Sequence, residues 1–97
     1  MTQELLRLQA ATLRAVLDDP AVTDVTLRRQ VASGQPPSEL QTLVQKIRER
    51  AYTVTDEDVD ALRARYSEAE LFEIIVAAAL GAADDRFKAA LAAVEGL

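Results

Sequence analysis

Apolar positions recur every three or four residues along most of the chain, which predicts helices joined by short breaks. From Thr2 to Asp18, Leu6, Ala10, Leu13 and Leu17 fall on one stripe, widened by Leu5 and Val16. Asp19-Pro20 interrupts the pattern: Pro20 cannot continue a helical ladder but suits a first helical position, with Asp19 as the cap before it. The spacing then predicts a second helix from Pro20 to Ala32, burying Val22, Val25 and Val31. Ser33-Gly34 ends it, Gly34 being the residue best able to turn left-handed. Gln35-Pro36-Pro37 is a stiff extended joint, too short to separate domains. Ser38, with Gln41 three positions on, predicts a capped third helix whose buried face is Leu40, Leu43, Val44, Ile47 and Ala51.

Tyr52-Thr53-Val54 reads as a β-prone connector. Thr55 is a cap, and Asp56, Glu57 and Asp58 occupy the first turn of a fourth helix, where its dipole favours negative charge. Val59 and Leu62 point inward. Ser67 and Glu70 match a capping box, with Tyr66 and Leu71 at the flanking staple positions. The helix they open is the longest and the most apolar. Phe72, Val76, Leu80, Ala83, Phe87, Leu91 and Val94 keep steps of three or four across Gly81, so one helix to about Glu95 is expected. Leu71, Ile74, Ile75, Ala78 and Ala82 form a second apolar face. Two apolar faces predict burial on both sides. Four short helices can cover one face and part of the other, so the remainder predicts self-association. The candidate interface residues are Phe72, Ile75, Val76, Ala79, Leu80 and Phe87.

The fold class expected is therefore all-α, a small bundle of about five helices with a long C-terminal helix. One domain is expected over 1–97, comprising an N-terminal helical arm at 1–34 and a core at 38–97. Composition agrees: 49% hydrophobic but only 4% aromatic, with abundant alanine, favours helices over sheets. A chain of 97 residues buries only about 60–65% of its unfolded surface and gains stability from a partner. Its apolar runs are shorter than the roughly 20 residues that span a bilayer. A cytoplasmic protein without membrane association is the expectation.

The chain has no Cys and no His, which removes thiolate nucleophiles, Ser-His-Asp relays and the usual zinc sites. Net charge is −5 and sits in the second half, where phosphate backbones would be repelled. Arg28-Arg29 and Lys46, Arg48 and Arg50 read as solvated helix faces, and no nucleic-acid partner is expected. The carboxylates of TDEDVD, Thr55 to Asp60, tempt a metal reading, but the glycine of a calcium loop is missing and a helix spreads them around a cylinder. No metal or other cofactor is expected. Tyr52, Tyr66 and Glu73 are the candidate residues of a pocket, Glu73 acting as an acid if burial raises its pKa. A structural role for Glu73, as an ion-pair partner, is the competing reading.

The segment YTVTDEDVDALRARYSEAELFEIIVAAALGAADDRFKAAL, Tyr52 to Leu91, resembles the C-terminal half of the carboxymuconolactone decarboxylase / alkylhydroperoxidase AhpD-like superfamily. The likeness lies in V-T-D-E-D-V-x-A-L, then S-E-A-E-L-F-E-I, then an alanine-rich helix ending near an Arg. It implies an all-helical fold that assembles through long helices. Members with peroxidase activity use a Cys-x-x-Cys pair with nearby His and Glu. Here those cysteine positions fall near Arg50 and Thr53 and the histidine near Glu57, so thiol chemistry does not carry over. Arg65 stands where members usually have a Gly. The resemblance implies a non-catalytic member, a homo-oligomerising subunit serving as structural or accessory partner of another protein. The alternative is a cofactor-free small-molecule lyase or isomerase with a pocket between subunits.

Overall fold

Among the described residues five α-helices form where the apolar spacing is helical, and the longest organises the rest. The structure, a computed structural model, describes residues 2–18 and 21–96. Helices α1 (Thr2–Asp18), α2 (Val25–Ala32), α3 (Gln41–Arg50), α4 (Asp56–Asp60) and α5 (Glu68–Glu95) follow in order, with short 3-10 turns at Ser38–Leu40 and Ala51–Thr53. No strand occurs among the described residues. The all-α bundle with a long last helix is the architecture expected.

The start of α5 is set by the box read from sequence. The Ser67 hydroxyl accepts from the Glu70 N–H at 3.1 Å, and the Glu70 carboxylate accepts from the Ser67 N–H at 2.9 Å. Leu71 is buried and Tyr66 packs against the core, as a staple requires. Thr55 and Asp58 form a second box at the head of α4. After α2, Gly34 takes φ +80, the Gln35 N–H reaches the Gln30 carbonyl at 2.8 Å, and the Gly34 N–H reaches that of Val31 at 3.2 Å. These two bonds are a Schellman ending, which needs the left-handed residue that glycine supplies.

The core lies between α5 and the layer of α2 and α3. Ile74, Ala77 and Ala78 of α5 are fully buried, against Val31 of α2 and Leu40, Leu43 and Val44 around α3. Helix α2, which sequence assigned to an N-terminal arm, thus supplies part of the core. Gly81 is where α2 and α5 meet most closely: a Cβ there would lie 2.0 Å from the Ala32 carbonyl oxygen. Helix α1 lies along the flank of α5. Leu13 and Leu17 share a depression with Gly81, Asp84 and Lys88, while the chain just beyond α1 reaches Glu73. That order of contacts makes α1 antiparallel to α5. The molecule measures 47 × 29 × 18 Å.

Several local expectations are corrected. Of the α1 stripe, Leu17 is buried and Leu13 half-buried, but Leu6 and Ala10 are exposed; only the last turns of α1 find a surface to pack on. Helix α2 begins at Val25, capped by the Asp24 carboxylate on the Thr26 N–H, while Ala21 to Asp24 are not helical. Val22 and Val25 are consequently exposed. Asp19 and Pro20, expected to start that helix, lie outside the described residues. Ser38 opens a 3-10 turn and makes no side-chain cap to α3. Ala51 is exposed, and Ala51–Thr53 coils instead of extending.

Candidate functional site

Because α2 and α3 cover one side of α5, the side carrying Phe72, Val76, Ala79, Leu80, Ala83, Phe87 and Val94 turns away from the core. Phe72 is 68% exposed and Val94 65%. Ala79 and Ala83 are exposed, and Val76, Leu80 and Phe87 are half-buried. Five of the six candidate interface residues thus lie on or beside an uncovered apolar face. The sixth, Ile75, is half-buried and packs against the core. Helix α1 also exposes Leu5, Leu8 and Val16.

Glu73 stands at the opposite end of the candidate list. Its carboxylate accepts from the Thr23 hydroxyl at 2.6 Å, the Thr23 N–H at 2.8 Å and the Val22 N–H at 3.0 Å. The Thr23 hydroxyl, the two backbone N–H groups and the nearby Arg28 guanidinium hold its pKa below the ordinary glutamate value of 4.5. Glu73 is therefore a latch that fastens the α1–α2 connection to α5, and it stays ionised. A proton donor would need the opposite shift.

Tyr66 donates its hydroxyl to the Glu39 carboxylate at 2.8 Å; burial, then that carboxylate, raises its pKa above the ordinary 10.0. Tyr52 is 87% exposed. Tyr52, Tyr66 and Glu73 are not brought together in either principal depression. The larger of these, about 470 Å³, lies between the α2–α3 joint and α5, lined by Gln35, Gln41, Gln45, Arg48 and Arg86 among others. Its arginines are already engaged: Arg48 binds the Ala32 carbonyl and Asp85, and Arg86 donates to the Arg48 carbonyl.

Several further charged groups are also committed to the fold. Arg28 is 2% exposed and donates to the Val16 carbonyl at 2.9 Å, so it does not belong to a solvated face. Arg29 pairs with Asp18, and Lys46 with Asp58 at 2.7 Å. Of the TDEDVD carboxylates, Asp58 closes the α4 capping box and meets Lys46, and Asp60 pairs with Arg63; among the described residues no group of three or more acidic side chains is placed to hold a metal ion. No described helix is long and apolar enough to cross a membrane.

The buried Arg28 and the close contact at Gly81 were not read from sequence. For Gly81 a signal existed, since a glycine inside an alanine-rich helix costs stability unless packing needs it. Neither a protein-family model nor a curated protein nor a solved structure matches the chain.

Proposed function

We propose that the chain is a non-catalytic helical subunit that homo-oligomerises through the outer face of α5 and serves as a structural or accessory partner of another protein. The observation that carries this reading is the uncovered apolar face from Phe72 to Val94, opposite the core face of the same helix. Exposed apolar strips of this length are costly in water and characteristic of association surfaces. The resemblance of Tyr52 to Leu91 to AhpD-like proteins supports an assembling member whose thiol positions fall near Arg50 and Thr53, neither of which is a cysteine. The rival lyase or isomerase needs an acid poised to give up a proton, and the donors around Glu73 work against that role.

Light scattering across a concentration series tests the proposal. A mass of at least twice 10.6 kDa is expected for the wild type. Ala79→Glu sets a charge on the outer face without touching the core, and should return the mass to one chain with helix content unchanged. A wild type that stays at one chain at high concentration overturns the proposal.

A further inference from the structure

We propose that the outer face of α5 pairs with the same face of a second copy, antiparallel, about a two-fold axis that passes beside Ala83. The inference rests on the self-association just proposed and adds the orientation and register.

The seam consists of Phe72, Val76, exposed Ala79, Ala83, Phe87, exposed Ala90 and Val94, with half-buried Leu80 and Leu91 at its edge; its positions step by four, three, four, four, three and four, an eleven-residue repeat. Such a repeat stays close to the natural turn of an α-helix, so the stripe runs almost straight for about 33 Å at 1.5 Å per residue. Ala83 is its midpoint. Reversing the stripe about Ala83 sets Ala79 against Phe87, Val76 against Ala90, Phe72 against Val94 and Ala83 against itself. Both Phe87–Ala79 contacts match a large side chain to a small one, as facing positions of a packed helix pair require. The alanines let the axes approach to about 8 Å, the close end of helix packing.

Charge agrees. Between Phe72 and Val94 the charged residues of α5 are Glu73, Asp84, Asp85, Arg86 and Lys88, and every one is held inside its own subunit. Glu73 binds Thr23, Asp85 binds Arg48, Arg86 donates to the Arg48 carbonyl, and Lys88 pairs with Asp84 at 2.9 Å. The seam itself carries none, so a second copy meets no unpaired ion there.

Area agrees as well. On α5 the seam lies about a third of a turn from the flank that α1 covers. On α1, Leu8 and Val16 lie about a third of a turn from Leu13 and Leu17 in the same rotational sense. Because the helices are antiparallel, both stripes open to one side. Taking α5 over about 33 Å and the 17 residues of α1 over about 25 Å, helices about 11 Å across present about 640 Å² in projection, which approaches the roughly 800 Å² per partner of a stable interface.

The chain has no cysteine, so single cysteines report the seam directly. A disulfide needs Cβ atoms about 3.5–4.5 Å apart. Ala83→Cys is expected to form an interchain disulfide in nearly all chains under mild oxidation. Phe72→Cys alone should give almost none, since its two copies lie about 33 Å apart along the seam at 1.5 Å per residue. An equal mixture of Phe72→Cys and Val94→Cys should yield the mixed dimer. Equal cross-linking of Phe72→Cys and Ala83→Cys would mean a parallel pair and overturn the proposal. No cross-link at Ala83, in a protein whose reduced mass is that of a dimer, overturns the register while leaving self-association standing. A reduced wild type of single-chain mass removes both.

Discussion

At the residue scale, Gly81 sets how closely α5 can lie on α2. Its missing side chain admits the Ala32 backbone, whose carbonyl carbon would stand 2.6 Å from an added Cβ. Backbone cannot rotate out of the way as a flexible side chain would, so the helices would have to separate. Gly81→Ala raises the intrinsic helix propensity of α5 by about 1 kcal/mol, yet it should destabilise the protein by a net 1–3 kcal/mol, typical of overpacking. Urea unfolding followed by circular dichroism reads the sign. A stabilised variant would mean that the two backbones do not meet there. Glu73 shows the same dependence on a distant segment. Its neighbours in sequence are apolar, and its role comes from Thr23, fifty residues earlier.

At the element scale, what was legible was what is local. The cap at Thr55, the capping box at Ser67 and the glycine ending at Gly34 each involve residues within a few positions, so side-chain chemistry alone specifies them. Ser67→Ala should accordingly cost about 1 kcal/mol, the usual worth of such a cap, seen as a lower urea midpoint with an unchanged slope. A midpoint equal to the wild type's would mean that α5 does not depend on its box for its start. Less legible was which apolar stripe meets which neighbour. Leu71 to Ala82 and Phe72 to Val94 are comparable in apolar character, and periodicity cannot rank two faces of one helix. Packing decides: α2 and α3 take the face that offers Ala77, Ala78 and Gly81, where backbones can approach. The same limit explains α1, whose stripe is regular but whose first turns extend past the helices that could cover them. Short polar segments also misled, because Ser38 and Tyr52-Thr53 entered 3-10 turns whose defining bonds, Leu40 N–H to the Pro37 carbonyl and Val54 N–H to the Ala51 carbonyl, run between backbone groups.

At the scale of the whole molecule, the unequal charge of the two halves becomes a set of fastenings between them. Lys46 of α3 holds Asp58 of α4, Arg48 of α3 holds Asp85 of α5, and Arg65 lies 3.6 Å from Glu39. Three acids at such joints have lowered pKa values. Asp58 is held by Lys46 and then Thr55, Glu39 by its own backbone N–H and then the Tyr66 hydroxyl, and Glu73 by Thr23. A carboxyl whose folded pKa lies below its unfolded value contributes stability in full above the unfolded value and loses it as pH falls through the folded one. With ordinary values of 4.5 for glutamate and 3.8 for aspartate, unfolding free energy should be flat from neutrality to about pH 5 in these terms and decline as the solution is acidified further. Glu73→Gln should flatten that decline, because the amide has no proton to take up, and should lower the melting temperature at pH 7, because three donors lose their charged acceptor. Thermal melts of both proteins between pH 3 and pH 7, at a fixed protein concentration so that association does not shift them, read both effects. An equally steep acid loss in the variant would show that Glu73 is not ionised against Thr23. The apolar outer face of α5 has no charge to titrate, so the proposed pairing predicts dissociation on acidification only through loosening of the fold behind it.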